Sequence, residues 1–372
     1  MLFPTKTSDD QEETEAAVFQ AMMDGPGNFL FHEHVKFLSD GLEKLPRSFS
    51  SLDASRPWFV FWASHALDLL DSFDEKKFPG QRVSTFLSKC QSLSGGFGGG
   101  PFQLPHLAPT YASVCAVVIA NQPELVDRYA TWKFILSLKS PSGGFRMHDG
   151  GETDMRGTYC AIAVASMLEI LTPEITNGVA GYVLSCQTFE GGIAGDAGGL
   201  EAHGGYGYCG LAALGILSRH LGVDFFMNIR DRLQRMLWWV SQRQMTAEGG
   251  FNGRANKLVD SCYSFWQGAS LVILRDLFIF AGLPVPTEPG NFYWCNAEAL
   301  DKYVVSACQC ETGGLRDKPG KSPDYYHSCY ALSGLAVIKG KTHALYNVRP
   351  ERLSIFRENL RKLPILGFSG HF

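Results

Sequence analysis

The amino-acid sequence predicts an all-α protein, an α/α barrel (toroid) of six helix pairs, and two patterns carry that prediction. Five turns along the chain share a double glycine followed by an apolar residue. They are Gly95-Gly96-Phe97, Gly143-Gly144-Phe145, Gly191-Gly192-Ile193, Gly249-Gly250-Phe251 and Gly313-Gly314-Leu315. The first three begin at residues 95, 143 and 191, a fixed interval of 48 residues that is typical of repeated supersecondary units. In the second pattern, an amphipathic segment precedes each turn and a more apolar segment follows it.

Both kinds of segment have the periodicity of helices and lack the sustained alternation of strands. The amphipathic segments include 128–139, 178–187 and 230–244, and the apolar segments include 156–171, 205–218 and 260–274. A further pair at about 29–45 and 58–71 lacks the glycine turn and brings the number of pairs to six. Glycine ends the first helix of a pair sharply because it adopts a positive φ without steric cost.

The apolar second helices favour an inner ring, and the amphipathic first helices favour an outer ring. An open solenoid needs polar capping repeats at both ends, and the sequence has no clear polar cap. We therefore expect the array to close into a barrel. The inner helices would then run parallel, with their N-termini at one end, where their dipoles favour an anion.

Composition and charge narrow the class of protein. The chain has 372 residues and a net charge of −4, which argues against nonspecific binding to nucleic acid. No signal segment and no apolar run of bilayer length are evident. The ten cysteines lie mostly in apolar segments, so we expect reduced thiols and a cytoplasmic location. The polar, acidic residues 1–17 predict a flexible tail, followed by a single domain over 18–372.

Asp260, Cys262 and His327 form a candidate metal site. An Asp, a Cys and a His can hold zinc and leave one coordination position open for an incoming ligand. The first two lie two residues apart at the predicted start of an inner helix, whereas His327 belongs to the next repeat. A helix-capping Asp260, a buried Cys262 and a hydrogen-bonded His327 would explain the same spacing without a metal.

Other polar and aromatic residues cluster where the inner helices begin. Arg254, Lys257, His203, Arg156 and Tyr263 could stabilise the negative charge of a diphosphate leaving group, or they could form an ordinary solvated basic surface. The aromatic residues could line an apolar funnel or could simply be core. They are Trp58, Trp62, Tyr111, Tyr159, Tyr206, Trp266, Tyr326 and Tyr330.

Six blocks of sequence, in order over about residues 50–340, resemble the β subunit of protein farnesyltransferase. They are SRPWFVFW (55–62), PHLAPTYA (105–112), DMRGTYCA (154–161), EAHGGY (201–206), GGFNGRANKLVDSCYSFWQ (249–267) and DKPGKSPDYYHSCYALSGL (317–335). The fold of that family is an α/α barrel of six helix pairs, which agrees with the repeats. The segment 275–300 and the ends of the chain, 1–45 and 341–372, do not align convincingly.

The resemblance implies a role for each residue that matches the family's motifs. It implies that Asp260, Cys262 and His327 bind zinc, that Tyr263 takes part in catalysis, and that Asp317 is linked to magnesium. Residues implied at farnesyl diphosphate are His203, Gly204, Gly205, Tyr206, Arg254, Lys257, Tyr263, Arg156, Tyr159, Cys209 and Trp266. Residues implied at the peptide are Ser55, Trp58, Trp62, His106, Ala108, Pro109, Arg156 and Tyr326. Bulky Trp58 and Tyr330 match the pattern that leaves room for fifteen isoprenoid carbons rather than twenty.

The implied activity is transfer of a farnesyl group to the cysteine thiolate of a C-terminal Cys-a-a-X sequence, with zinc generating the nucleophile. The family works as a heterodimer with a helical-repeat α subunit. The nearest alternative is the β subunit of geranylgeranyltransferase type I, which Trp58, Asp317 and Tyr330 oppose. A triterpene cyclase shares the barrel, but the chain lacks the Asp-x-Asp-Asp acid of cyclases. A toroid that binds without catalysing a reaction is the alternative from a different class.

Replacing Trp58 with Thr is expected to admit the longer, geranylgeranyl donor, because the smaller side chain lengthens the cavity. Competition between the two isoprenoid diphosphates would measure the change. An unchanged preference for the farnesyl donor would contradict the argument from cavity length.

Overall fold

The computed structural model describes residues 5–25, 27–74, 80–286 and 294–364, whose regular secondary structure is almost entirely helical. The α-helices are α1 (Lys6–Asp24), α2 (Phe31–Glu43), α3 (Arg56–Leu69), α4 (Gly80–Cys90), α5 (Leu107–Ala120), α6 (Arg128–Ser137), α7 (Met155–Met167), α8 (Pro173–Thr176), α9 (Val179–Ser185), α10 (Gly204–Asn228), α11 (Arg230–Ser241), α12 (Tyr263–Phe280), α13 (Ala297–Lys302), α14 (Tyr325–Ile338) and α15 (Pro350–Leu360). Two 3-10 segments (Arg47–Ser55 and Pro123–Leu125) and a π-helix (Tyr303–Cys308) connect some of them. Strands β1 (Phe145–Arg146) and β2 (Thr153–Asp154) form a small antiparallel hairpin.

Six helices form a closed inner ring. In order around the ring they are α3, α5, α7, α10, α12 and α14; each packs against the next, and α14 packs against α3. The outer members of the six pairs are α2, α4, α6, α9, α11 and α13 with the π-helix that follows it. The prediction of an all-α barrel of six helix pairs is therefore confirmed. Closure removes the need for polar capping repeats, because no inner helix is left with an unpacked side.

The first glycine of each turn is required by its backbone and by its neighbour. Gly95 has φ of 91°, and a Cβ atom there would lie 2.0 Å from the carbonyl oxygen of Ala130 at the start of the next outer helix. Gly313 repeats the arrangement with φ of 86°, and its Cβ would lie 2.1 Å from the carbonyl oxygen of Glu33 in α2. The last turn thus packs on the first outer helix, which closes the outer ring as well.

At four of the five turns, a side chain four or five residues before that glycine forms a hydrogen bond to the next repeat. Gln187 Nε2 donates to the carbonyl oxygen of Gly191 in its own turn (2.8 Å) and to that of Arg232 in α11 (3.0 Å). Lys139 replaces the glutamine in the second repeat, and its Nζ donates to the corresponding two carbonyl oxygens. The position therefore needs a long side chain with at least two hydrogens to donate.

Gln309 makes the same link between the last repeat and the first. Its Nε2 donates to the carbonyl oxygen of Asn28 (2.8 Å), and its Oε1 accepts from the backbone N–H of Leu30 (3.1 Å). The Oε1 also lies 3.1 Å from His34 Nε2, while His34 Nδ1 accepts from the backbone N–H of Gly314 (3.0 Å). Because Nδ1 accepts, the ring proton of neutral His34 is on Nε2, which donates to Gln309.

Backbone hydrogen bonds fix the starts of neighbouring inner helices to one another. At or just before the first residue of an inner helix, a backbone N–H donates to a carbonyl oxygen in the loop that precedes the next inner helix. The pairs are Arg56 to Gly99 (2.9 Å), Leu107 to Met147 (2.8 Å), Met155 to Gly195 (2.8 Å), Gly204 to Gly253 (2.7 Å) and Ser261 to Asp317 (2.9 Å). They satisfy N–H groups that a helix start otherwise leaves without a partner. They also bring the polar residues at the helix starts to one end of the barrel.

Residues 6–17 belong to helix α1, whereas their composition predicted a flexible tail. Thr5 and Ser8 form a reciprocal capping box that starts α1, and Val18 is fully buried in the core. Gln11 Nε2 donates to the carboxylate of Glu248 (2.7 Å), and the helix packs on the π-helix at 303–308. The acidic side chains face water, so the acidic composition marks the exposed side of an amphipathic helix rather than disorder.

The other end of the barrel is closed by the segment 343–348. Tyr111 Oη donates to the carbonyl oxygen of Tyr346 (3.0 Å), and Tyr159 Oη donates to that of Leu345 (3.0 Å). Helix α15 then packs across α5, with the Arg352 guanidinium 2.9 Å from the buried carboxylate of Asp68. The barrel is therefore open at the N-terminal ends of the inner helices and filled at their C-terminal ends.

One described helix, α10, is long and apolar enough to cross a membrane by length and composition alone. It is an inner helix of the barrel, packed between α7 and α12, and its backbone is kinked at Gly222. Core helices of this kind commonly satisfy the same test.

Replacing Gln309 with Ala is expected to lower the free energy of unfolding by about 1–3 kcal/mol, because the buried side chain of His34 and the backbone groups of Asn28 and Leu30 lose their hydrogen bonds to it. Gln187→Ala is the matched control, since that side chain is less buried and water can reach its partners. Urea unfolding of both variants measures the difference. An equal loss in both would contradict a special role for Gln309 in closing the ring.

Candidate metal centre and active-site cavity

The polar residues of the candidate site are the residues that cap the inner helices. His106 Nδ1 accepts from the backbone N–H of Ala108, and His203 Nδ1 accepts from that of Gly205, each at 3.0 Å. Asp154 and Asp324 cap α7 and α14 in the same way. A capping side chain is fixed by its own helix and points toward the open end of the barrel, so four of the six repeats contribute a preorganised polar group there.

Asp260, Cys262 and His327 come together in the folded chain. Their possible ligand atoms all lie within 4.8 Å of one another, and His327 Nε2 is 3.3 Å from Asp260 Oδ1. The backbone N–H of Cys262 donates to Asp260 Oδ1 (2.9 Å), which orients that carboxylate. The Cys262 side chain is buried, and the other two are partly exposed. This is the one group among the described residues whose donors are arranged to hold a metal ion.

Asp324 orients the histidine of this group, a role that the sequence analysis did not assign to it. Its Oδ2 lies 2.7 Å from His327 Nδ1, while its Oδ1 accepts from the backbone N–H of His327 (2.7 Å). With Nδ1–H donating to the carboxylate, Nε2 of a neutral His327 is free to act as a ligand. The signal was available: Asp324 stands three residues before His327, at the N-cap of α14.

In the metal-free chain, protons occupy this group at neutral pH. Burial alone would lower the pKa of His327, but the hydrogen bonds and charges of Asp260 and Asp324 raise it to about 10. Burial raises the pKa of the Cys262 thiol well above its ordinary value, and the nearby Asp260 carboxylate raises it further. A metal ion must therefore displace a proton from both side chains.

A cavity of about 650 Å³ opens beside the metal group. Fourteen of the predicted substrate-binding residues line it: Trp58, Trp62, Ala108, Arg156, Tyr159, His203, Gly205, Tyr206, Cys209, Arg254, Tyr263, Trp266, Tyr326 and Tyr330. Tyr111, Met147, Cys160 and Glu201 also line it, and of these only Tyr111 had been singled out, as one of the aromatic residues. The walls come from all six inner helices or the loops before them, so only the closed barrel creates the cavity.

Aromatic rings form the deep wall of the cavity. The rings of Trp266 and Tyr330 lie 4.2 Å apart between centroids, and Trp58 lies 5.8 Å from Tyr111. Trp266 Nε1 donates to Tyr326 Oη (3.1 Å), which satisfies the indole N–H inside the wall. An apolar ligand would meet ring faces here, with a hydrophobic gain of about 25 cal/mol for each Å² of apolar surface removed from water.

Cationic and hydroxyl groups line the opposite side, near the mouth. Arg254 Nη1 lies 2.6 Å from the carboxylate of Glu201, and both side chains are partly exposed. His203 Nε2 lies 3.0 Å from Tyr263 Oη, and burial lowers the pKa of His203, so its ring is neutral. Because His203 Nδ1 accepts a backbone hydrogen bond, its Nε2–H donates to Tyr263, whose own O–H is left free to donate to an anion.

Arg156 stands at the mouth on the neighbouring repeat. Its Nε donates to Asp154 Oδ2 (2.8 Å), and its Nη2 lies 3.2 Å from Glu152. The guanidinium also lies 5.9 Å from the centre of the Tyr206 ring. Two carboxylates therefore hold this cation over an aromatic side chain, with part of its surface still open to the cavity.

Five of the predicted substrate residues lie outside the cavity lining: Ser55, His106, Pro109, Gly204 and Lys257. Ser55, His106 and Gly204 stand at the starts of inner helices close to lining residues. Lys257 is exposed and lines a separate cavity with Thr5 and Ser8 of the N-terminal helix. No finding described so far tests the substrate role of these residues.

Asp317 lies on the loop that is joined to the metal group. The Ser261 backbone N–H donates to the Asp317 carbonyl oxygen (2.9 Å), and Ser261 Oγ donates to that of Arg316 (2.7 Å). The Asp317 carboxylate is paired with the ammonium of Lys318 at 2.5 Å. Burial raises the pKa of Asp317, and the charge of Asp260 raises it further.

Comparison with known proteins identifies the family. Residues 29–353 match the model of the prenyltransferase alpha-alpha toroid domain. The protein farnesyltransferase subunit beta of Schizosaccharomyces pombe is 39% identical over 332 residues, which cover 88% of this chain and 83% of that protein. The chain belongs to the family of protein farnesyltransferase β subunits. The farnesyltransferase β subunit of Pyricularia oryzae is 40% identical over 82% of this chain, which spans only 62% of that relative's length.

A solved structure supports the toroid fold of this chain. Candida albicans protein geranylgeranyltransferase-I, complexed with GGPP, superposes with a TM-score of 0.73 and 21% sequence identity. The superposition covers 90% of this chain and all of the matched chain. At that identity the likeness concerns the fold, and the assignment to the farnesyltransferase family depends on the sequence relatives.

Metal binding is expected to release about two protons at neutral pH, because His327 and Cys262 are both protonated in the metal-free chain. The affinity for Zn²⁺, used as the probe, should then rise about a hundredfold per pH unit, about tenfold for each proton displaced. Competition with a chromophoric chelator at several pH values measures the slope. Cys262→Ala should reduce the slope by about half, and a pH-independent affinity in the unmodified chain would contradict the protonation states given above.

Proposed function

We propose that this chain is the catalytic β subunit of a protein farnesyltransferase, which transfers a farnesyl group from farnesyl diphosphate to the cysteine thiol of a C-terminal Cys-a-a-X sequence. The observation that carries the proposal is the combination, at one open end of the barrel, of a three-donor metal group and an aromatic cavity with a cationic mouth. A thiol, an isoprenoid chain and a diphosphate each have a matching surface within that one space.

We propose zinc as the metal held by Asp260, Cys262 and His327. The donor set of one thiolate, one imidazole and one carboxylate suits zinc, and three protein ligands leave a position open for a substrate atom. Zinc in this place would lower the pKa of a peptide thiol and so supply a thiolate near pH 7. The Asp324 carboxylate fixes the His327 ring in the tautomer that a metal site needs.

The residues at the mouth are suited to the diphosphate. Arg254 can donate charge-assisted hydrogen bonds to its oxygens, and the free O–H of Tyr263 can donate another. As the bond to the isoprenoid breaks, negative charge develops on the leaving oxygen, and donors that are already in place stabilise it without reorganisation. His203 holds the Tyr263 hydroxyl in position. Lys257 is proposed to join these donors, and Asp317 is proposed to recruit magnesium to the diphosphate.

The aromatic wall is suited to the isoprenoid. Tyr206, Tyr159, Trp266 and Cys209 present apolar surface along the cavity, and Trp58 and Tyr330 limit its length. Binding both substrates in one cavity places the thiol and the reacting carbon close together, which replaces a bimolecular encounter by an intramolecular one. We propose that the length of the cavity favours the fifteen-carbon farnesyl donor over the twenty-carbon geranylgeranyl donor.

The peptide is proposed to enter from the side of Trp62 and Tyr326, next to the metal group. Ser55, His106, Ala108 and Pro109 are proposed to form the pocket for the X residue of the peptide, and Arg156 lines the same cavity as Ala108. We further propose that the chain works as a heterodimer with the α subunit of its family and that it acts in the cytoplasm. All ten cysteines are unpaired, which supports a reducing compartment.

The direct test is prenyl transfer to a Cys-a-a-X peptide by the chain co-produced with an α subunit, with farnesyl and geranylgeranyl diphosphate in competition. We expect zinc-dependent farnesyl transfer. In Cys262→Ala we expect loss of bound zinc together with loss of transfer, because the metal group loses its thiolate. Cys310→Ala is the matched control, since that cysteine lies outside both the metal group and the cavity.

The possible outcomes of that test distinguish the proposed function from its alternatives. A geranylgeranyl preference would keep the chemistry and overturn the argument from cavity length. An intact heterodimer that holds zinc but transfers neither group would overturn the proposed activity and favour a toroid that only binds. Transfer that continues in zinc-free Cys262→Ala would overturn the proposed role of the metal group.

A further inference from the structure

The ion pair between Asp317 and Lys318 is more deeply buried than the ion pair at the mouth of the cavity. The Lys318 ammonium lies 2.5 Å from Asp317 Oδ1, and the two side chains are only 14% and 20% exposed. The pair between Arg254 and Glu201 at the mouth is much more open, at 39% and 51% exposed. Because the Asp317 and Lys318 side chains are screened from water, their attraction is stronger than that of an ordinary surface pair.

The position of the Asp317 carboxylate is fixed by the segment that carries the metal group. Its backbone carbonyl oxygen accepts from the Ser261 N–H (2.9 Å) and from the Tyr303 hydroxyl (3.1 Å). Ser261 stands between Asp260 and Cys262 in the sequence. The loop at 316–318 therefore cannot move away from the metal group without breaking several buried hydrogen bonds.

A divalent cation that bridged a diphosphate at this place would meet one protein carboxylate. Magnesium commonly binds in this way, through one or two carboxylates together with phosphate oxygens and water. One of the two carboxylate oxygens of Asp317, Oδ1, is in contact with the Lys318 ammonium. A magnesium ion and the ammonium cannot both make close contact with the same carboxylate oxygen.

We propose that Lys318 is the built-in counter-ion of Asp317 and that its ammonium competes with magnesium for that carboxylate. This inference rests on the proposed function, because the diphosphate supplies the remaining ligands of the cation. Without magnesium, Lys318 keeps the Asp317 charge neutralised beside the developing negative charge of the leaving group. When magnesium binds, the ammonium must leave Asp317 and is free to donate to a diphosphate oxygen.

Two consequences follow from the competition. Magnesium binds more weakly than Asp317 alone would allow, because each ion must first displace the ammonium. The reaction also keeps a magnesium-independent component, since one positive charge remains at the leaving group whether or not the divalent ion is present. Lys318 thereby sets how strongly the rate depends on the magnesium concentration.

The test measures cation binding directly, with Mn²⁺ as the probe and electron paramagnetic resonance reporting the free ion. The sample is the zinc-loaded heterodimer with farnesyl diphosphate and a peptide in which serine replaces the acceptor cysteine, so that no turnover occurs. Lys318→Met keeps the apolar stem and removes the charge, and we expect the Mn²⁺ dissociation constant to fall by about threefold or more. Lys318→Arg keeps the charge and should remain close to the parent chain.

Matched variants separate this effect from a general change in charge. Lys321→Met removes an exposed cation from the same loop and should leave Mn²⁺ affinity unchanged. Asp317→Asn should abolish the specific Mn²⁺ site in both the parent and the Lys318→Met background. Lys318→Gln is a second neutral variant to use if Lys318→Met loses its zinc or its thermal stability.

The rate gives a second readout. In buffer freed of divalent ions other than the bound zinc, Lys318→Met should transfer farnesyl more slowly than the parent chain and should recover at high magnesium. Unchanged or weaker Mn²⁺ binding in both neutral variants would overturn the inference. If the neutral variants give that result and the parent heterodimer still transfers farnesyl normally, the proposed function is retained and only the proposed role of Lys318 is rejected. An equal fall in the Mn²⁺ dissociation constant of Lys321→Met would also overturn the inference, because the loss of any positive charge in the loop would then explain the change.

Discussion

The hydrogen bonds that run from the starts of five of the six inner helices to the loop of the next repeat are the constraint on which the rest of this structure depends. Each of these bonds holds the start of one inner helix against the loop that precedes the next inner helix. The bond from Gly204 to Gly253 brings the loop that carries Arg254 up to His203. The bond from Ser261 to Asp317 does the same for the loop beside the metal group. These backbone hydrogen bonds therefore set the positions of the side chains that form the site.

The ligand-free site balances its own charges. Arg254 is held by Glu201, Arg156 by Asp154, and Asp317 by Lys318, while protonated His327 lies between two carboxylates. This arrangement avoids the cost of unpaired charges in partly buried positions. A charged ligand must therefore displace the side chain that already pairs with each charged group. This favours ligands that carry the same charge as the displaced side chain at the same position.

The sequence predicted the fold well because its strongest signal has a strict physical cause. Positive φ and a close backbone approach leave only glycine at Gly95 and Gly313, so the period of the repeat is visible in the residues themselves. The spacing of Asp260 and Cys262 was equally visible, although only the folded chain brings His327 to them. The helix at 6–24 was not predicted, because its polar surface outweighs the few contacts, such as that of Gln11 with Glu248, that hold it in place. The partners Asp324, Glu201 and Lys318 were missed for a related reason: they act through single side-chain contacts that no periodicity encodes.

The deep end of the cavity is built from the far end of the chain. The hydroxyl groups of Tyr111 and Tyr159 are committed to the carbonyl oxygens of Tyr346 and Leu345, and Tyr159 also contacts the hydroxyl of Tyr208 at 2.9 Å. A ligand too long for the cavity could gain room there only by breaking these bonds and loosening the segment that closes the barrel. This end of the fold would then limit the length of the ligand in addition to the side chains of Trp58 and Tyr330, because extra length here would loosen the segment that closes the barrel. Changes in the segment 343–348, far from the reacting groups, would thereby alter which chain lengths the cavity tolerates.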